Sequence, residues 1–119
     1  NNPYKSNILM IYMSFKDIQE DVDKWTKQFN PQYWPPLEQL GRLAEETGEV
    51  ARIINHLHGT KKKKPTEEIK SLGQELSDVI FTVCCIANSH NINLEEEWKK
   101  MMQEKQYGRD NERYEKIKI

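Results

Sequence analysis

With 119 residues, 36% apolar content, and 18 basic against 19 acidic side chains, the chain has the size of one domain and a nearly cancelling charge. That balance argues against a general binder of nucleic-acid polymers, and five glycines and five prolines exclude collagen-like and low-complexity classes. No run of eighteen apolar residues offers a membrane span, and Leu, Ile, Val and Phe total only 26, so the core is thin and an oligomer is expected to complete it.

Residues 1–12 hold only the short apolar run that starts at Ile8, too short for a signal-peptide core, and they read as an N-terminal extension or cloning remnant. Residues 13–119 form a single domain with a basic C-terminal tail. Ser14 and Asp17 make a capping-box start for a helix to about Phe29, along Phe15, Ile18, Val22, Trp25 and Phe29. Asn30-Pro31 and Pro35-Pro36 break it. A second helix runs from Pro36 to Leu57 on a stripe that includes Leu37, Leu40, Leu43, Val50, Ile53, Ile54 and Leu57, and Gly59 stops it. After the Lys61–Lys64 loop, Thr66 opens a third helix to Ser89 through Leu72, Leu76, Val79, Ile80, Val83 and Ile86. A fourth starts at Leu94 and continues through Trp98, Met101 and Met102 toward Tyr107, where Gly108 ends or kinks it. No segment alternates with a strand period, so the class is all-α. The adjacent Cys84 and Cys85 read as reduced core residues of a cytoplasmic protein.

The chemistry lies in the second and third helices. Glu45, Glu46 and Glu49 crowd one turn, and Glu75 and Asp78 crowd another. Spacings of three and four residues bring side chains to one helix face. These acids also interleave with the apolar positions, and carboxylates along a buried seam repel and lose hydration unless a cation compensates. The oxygen-rich set suits Mg²⁺, with Mn²⁺ as a substitute. Gly48, in the same turn, leaves room for a helix or a ligand to approach. The plainer alternative is a solvated acidic face paired with Arg42, Arg52 and Lys70. Neither a Glu-x-x-His motif nor a zinc-type Cys/His group is present. A hard ion in an all-oxygen site points to phosphate chemistry.

Glu45-Glu46-x-x-Glu49, then 25 residues, then Glu75-x-x-Asp78 resembles the motif of the MazG-like nucleoside triphosphate pyrophosphohydrolases. The surrounding segments LGRLAEETGEVARIINH and ELSDVIFTVCCIANSHNINLEEEW are similar to that family's central helices. The resemblance implies a four-helix all-α fold, with the bundle completed by dimerisation or by pairing of dimers. It implies Mg²⁺ held by Glu46, Glu49, Glu75 and Asp78, and hydrolysis of a (deoxy)nucleoside triphosphate to monophosphate and pyrophosphate. Glu49 and Glu45 are then the catalytic carboxylates, Glu45 standing behind the metal ligands or orienting the attacking water.

Lys105-x-x-x-Arg109 resembles the family's basic motif after the last helix, which makes Lys105, Arg109 and Arg113 phosphate-binding candidates; a solvated tail is the alternative. Trp25, Tyr33 and Trp34 are candidates for stacking on a base, with buried or interface aromatics as the alternative, and Asn88 for a sugar or phosphate contact or, equally, a helix-end cap. The expected role is removal of surplus or non-standard nucleotides. A dUTP- or dCTP-directed member of the same superfamily is the narrower alternative. A catalytically idle nucleotide-binding helical dimer is the other, although the complete acidic motif argues against it.

Overall fold

The structure, a computed structural model, describes residues 14–64 and 70–118. Four α-helices follow one another: α1 (Phe15–Thr26), α2 (Pro36–His58), α3 (Leu72–Ser89) and α4 (Leu94–Met101). A π-helical segment, Met102–Arg109, continues α4. No strand occurs among the described residues. The all-α expectation holds.

Local chemistry explains where the helices begin. Ser14 and Asp17 close the expected capping box, the Ser14 hydroxyl accepting from the Asp17 N–H and the Asp17 carboxylate from the Ser14 N–H. Pro36 occupies the first turn of α2, where its missing N–H is no loss. At Gly59, just past the end of α2, an added Cβ would lie 2.7 Å from the Asn55 carbonyl, so glycine permits the exit.

Three boundaries differ from the sequence reading. The first helix ends at Thr26 rather than Phe29, because the Thr26 hydroxyl turns back to the Val22 and Asp23 carbonyls and the Phe29 N–H bonds Thr26 in a tighter turn. The third helix starts at Leu72: Ser71 and Gln74 form a complete capping box there, and Lys70 and Ser71 are extended or irregular. Thr66 and Ile69, its expected start, lie outside the described residues, as do residues 1–13. Beyond Met101 the ladder widens, and the Asp110 N–H reaches the Lys105 carbonyl, five residues back, at 2.6 Å. Gly108 suits this segment, since a Cβ there would stand 2.9 Å from the Gln103 carbonyl.

Helix α3 is the central element, packed by α2 and by α1. Gln39 near the start of α2 meets Ser89 at the end of α3, while Glu46 meets Glu75 and Asp78, so these two helices are antiparallel. Trp25 faces Phe81, with ring centroids 5.8 Å apart, and Gln19 bonds Asn88, so α1 is antiparallel to α3 as well. Phe15 touches Trp98 of α4 at 6.4 Å.

A polar network locks these elements. The Gln19 amide donates to the Asn88 Oδ1 and to the Ile92 carbonyl, and its Oε1 accepts from the Leu94 N–H. Asn88 in turn donates to the Gln19 carbonyl and to the Tyr33 hydroxyl, and Tyr33 donates to Asp23 at 2.7 Å. That bond from Tyr33, followed by Lys27, holds the Asp23 carboxyl below its ordinary value. Burial raises the Tyr33 hydroxyl.

Among the described residues the buried apolar core is only Val22, Ile53, Cys84 and Ala87. By contrast Leu37, at 82% exposure, with Leu40, Ile54 and Leu57 on α2 and Leu76 and Ile80 on α3, remains uncovered within the chain. Among the described residues the core is thin, and these large apolar side chains face outward.

Gln19→Ala removes the three bonds that its side chain makes to Asn88, Ile92 and Leu94, leaving the Asn88 bond to the Gln19 carbonyl, a loss of about 2–3 kcal/mol. Urea unfolding followed by circular dichroism is expected to show that drop. An unchanged midpoint would mean the network carries no stability.

Candidate active site

Two cavities meet on one side of the α2–α3 pair. The acidic one, about 410 Å³, is walled by Arg42, Glu45, Glu46, Gly48, Glu49, Arg52, Lys70 and Asp78. Helical spacing explains its α2 wall, since Arg42, Glu45, Glu46 and Glu49 recur at three and four residues. Asp78 and the loop residue Lys70 close it from the α3 side. The neighbouring Glu75 is buried beneath.

Glu46, Glu75 and Asp78 each offer a carboxylate oxygen within 4.8 Å of the others. Glu46 is 5% exposed and Glu75 1%, whereas Asp78 is open to the cavity. Both Glu75 oxygens are buried without a hydrogen-bond donor, and the Lys70 ammonium stands 3.6 Å from Oε1. Two buried carboxylates so placed are strongly unfavourable alone. All-oxygen donors and orphaned acceptors are what a hard divalent cation satisfies, so the residues fit a metal. Burial, the largest influence, raises the Glu46 carboxyl above its ordinary value; Arg42 opposes this, and Asp78 and Glu75 add to it.

Of the five motif acids the structure therefore brings three into one cluster. Glu49 lines the same cavity but stands apart from that trio, facing Arg52 at 3.9 Å. Glu45 is exposed, 3.6 Å from Arg42. Among the described residues no other group comes near Gly48: a Cβ there would meet nothing within 4 Å. Of the two approaches that the glycine allows, no helix makes one among these residues, and the space beside it belongs to the acidic cavity.

The second cavity, about 450 Å³, is largely apolar and aromatic. Trp25 of α1, Phe29, Tyr33 and Trp34 of the following loop, and Phe81 of α3 line it. Trp25 and Phe29 stack edge-to-face at 4.8 Å, which fixes their rings. Gln39 forms part of the wall; its Oε1 accepts from Ser89, and its Nε2 is buried without a partner. Trp25 and Trp34 are thus together, as their candidacy requires. Asn88 is not with them: all its side-chain groups serve the network to Gln19 and Tyr33, and it borders a separate polar groove beside α1.

Lys105, Arg109 and Arg113 are not brought to the acidic cavity either. Arg109 and Arg113 converge on the buried carboxylate of Asp110, at 3.2 and 3.1 Å, and hold that carboxyl below its ordinary value, Arg113 most. The π-helical segment makes its contacts mainly with α4, the helix it continues. The sequence reading missed Asp110 as the anchor of these arginines and treated Arg42 and Lys70 only as partners of a plain acidic face. Burial pushes both Cys84 and Cys85 up to about 11, so neither is a thiolate near neutral pH.

An antiparallel helix pair that buries carboxylates at its seam, beside an aromatic-walled cavity, defines an all-helical protein whose distinguishing chemistry is a candidate metal cluster. Residues 36–114 match the MazG nucleotide pyrophosphohydrolase domain, and the chain belongs to that family. It is 47% identical over 89 residues to YpjD of Bacillus subtilis (strain 168), covering 75% of this chain and 80% of that protein. YvdC of the same organism is 29% identical over 89 residues, covering 66% and 84%. The crystal structure of B. subtilis YpjD aligns with a TM-score of 0.70 at 45% identity, over 81% of this chain and 98% of that one. A Bacillus-conserved MazG protein, a nucleotide pyrophosphohydrolase, aligns with a TM-score of 0.67 at 39% identity, over 79% and 90%. Family membership places the chain among hydrolases acting on nucleotides. No helix of the described residues is long and apolar enough to cross a membrane.

A carboxyl raised in the folded state favours folding below the ordinary value of 4.5 and loses that contribution as pH climbs through the raised value. Metal-free Glu46→Gln is therefore expected to be more stable than the unsubstituted protein at neutral pH, with the advantage gone by about pH 4. Glu75→Gln is expected to raise the metal-free unfolding free energy by about 1 kcal/mol or more, and Tm with it, and to abolish the rise in Tm that Mn²⁺ produces. Thermal unfolding with and without Mn²⁺ checks both. A Glu75→Gln protein that Mn²⁺ stabilises as well as before would remove Glu75 from the metal cluster.

Proposed function

We propose that the chain is a Mg²⁺-dependent nucleoside triphosphate pyrophosphohydrolase that converts a (deoxy)nucleoside triphosphate to the monophosphate and pyrophosphate, in the service of clearing surplus or non-standard nucleotides. The observation that carries this reading is the junction of the two cavities. Arg42 and Asp78 line both, so a base in the aromatic cavity would direct its phosphates at Glu46, Glu75 and Asp78. Trp25 and Trp34 supply flat apolar faces suited to a base. A divalent ion, Mg²⁺ or Mn²⁺, would be held by Glu46, Glu75 and Asp78 and would neutralise phosphate charge.

The two remaining acids handle water. Glu49 lines the cavity one turn beyond Glu46 and is half exposed, which suits a base that takes a proton from water at its carboxylate oxygen. Glu45, nearer the rim, orients that water. Lys105, Arg109 and Arg113 would reach departing pyrophosphate only across a subunit boundary, since within the chain two of them are engaged by Asp110. A second copy is favoured by the uncovered leucines and isoleucines of α2 and α3, and the assembly is a homodimer or a pair of such dimers.

Incubation with a panel of nucleoside triphosphates and Mg²⁺, followed by chromatography, tests the reaction. Monophosphate and pyrophosphate are expected; diphosphate and orthophosphate would refute the proposed bond cleavage. Nucleotide binding without turnover would favour the idle-binder alternative. Glu49→Gln and Asp78→Asn are each expected to cut kcat by at least 10²-fold with helicity retained. Near-normal activity in either would overturn its assignment. Light scattering during gel filtration is expected to give at least twice the chain mass, and Leu40→Glu to shift it toward monomer.

A further inference from the structure

The guanidinium of Arg42 has an unusual position. It sits in the wall of both cavities, on the boundary where the aromatic one opens into the acidic one. One helical turn separates it from the clustered acids, and Nη2 lies 2.9 Å from Glu46 Oε1 and Nη1 3.6 Å from Glu45 Oε2. Glu46 is buried, whereas the Arg42 side chain is half exposed. In this arrangement a guanidinium covers one of the three carboxylates that fit a metal.

We propose that Arg42 is a phosphate-binding residue that acts as a stand-in cation for the acidic cluster and is redirected to substrate when a metal arrives. The inference rests on the pyrophosphohydrolase reading for the identity of the anion. A dication bound at Glu46, Glu75 and Asp78 repels the guanidinium and weakens its claim on Glu46. The adjoining space is the cavity junction, where the phosphate nearest the nucleoside passes. A planar, always-charged fork suits phosphate oxygens better than an ammonium does, and its long stem spans the short distance between the two partners. Lys70 compensates Glu75 from the opposite side but does not line the aromatic cavity, so it lacks this second partner. Arg42 thus has two successive anions, a carboxylate before metal and a phosphate after it.

The two roles predict opposite responses to one substitution. Arg42→Met removes a competitor of the metal, so Mn²⁺ alone, measured by calorimetry or electron paramagnetic resonance, is expected to bind as tightly as before or up to tenfold more tightly. The same variant is expected to bind α,β-imido nucleoside triphosphates with Mn²⁺ roughly tenfold or more weakly, by a similar factor for every base that binds. Arg42→Lys is expected to recover part of that loss. Parallel weakening of Mn²⁺ and nucleotide would mean that Arg42 merely props the helix, and unchanged nucleotide affinity would exclude the phosphate contact; either overturns the inference. If the unsubstituted protein turned over no nucleotide yet Arg42→Met still lost the imido analogues, the hydrolase reading would fail while the role of Arg42 stood. Absence of binding of any imido analogue to the unsubstituted protein would overturn both.

Discussion

Charge buried at a helix seam governs this molecule. Glu46 and Glu75 face each other across α2 and α3 where packing would ordinarily place Leu or Val. The low dielectric there strengthens their repulsion, and the same property makes a cation at that spot unusually favourable. Arg42 and Lys70 offset part of the cost from the exposed side. Neither gives Glu75 a hydrogen bond, since both of its oxygens remain orphaned. The fold therefore carries incompletely compensated charge at this seam.

Holding such a cluster demands a rigid backbone behind it. The rigidity comes from the far end of α3. Gln19, Asn88 and Tyr33 tie α1, the loop after it and the α3–α4 turn into one hydrogen-bonded unit, and Asp23 anchors that loop through Tyr33 and Gln32. Because α3 also carries Asp78, Phe81 and Thr82, fixing its far end sets the register of the aromatic cavity against the acidic one. Asn88 thus serves the site by positioning α3, even though none of its atoms is left over for a ligand.

What could be read from the sequence follows how far apart the interacting residues lie. The Ser14–Asp17 box, the proline start of α2 and the register of the five acids are interactions over three or four residues, and the sequence displays them directly. Ser71–Gln74 has the same local form, but Thr66 ahead of a continuous apolar pattern hid it. Pairings over longer separations leave no such trace. Gln19 meets Asn88 across 69 residues, and nothing in the neighbouring sequence of either one reveals the other as its partner. The widening after Met101 was equally hidden, because Met102–Arg109 holds too few apolar residues to display any period. The acids were legible as a group, but their division into a buried trio and two cavity-wall carboxylates depends on α3 packing against α2. Arg42 was legible only as a counter-ion, since its second cavity is made by α1 and the loop.

The uncovered apolar side chains bear on the same buried charge. Leu37, Leu40, Ile54 and Leu57 lie on the helix that carries Glu46, and Leu76 and Ile80 on the one that carries Glu75. Any surface that covers them gains hydrophobic stabilisation on the order of 1.5–3 kcal/mol for each side chain fully buried. A few such side chains match the several kcal/mol that desolvating two carboxylates costs. Excess charge inside the α2–α3 pair and excess apolar surface outside it are then two sides of one balance. Covering the outside would hold the helices together against the repulsion within.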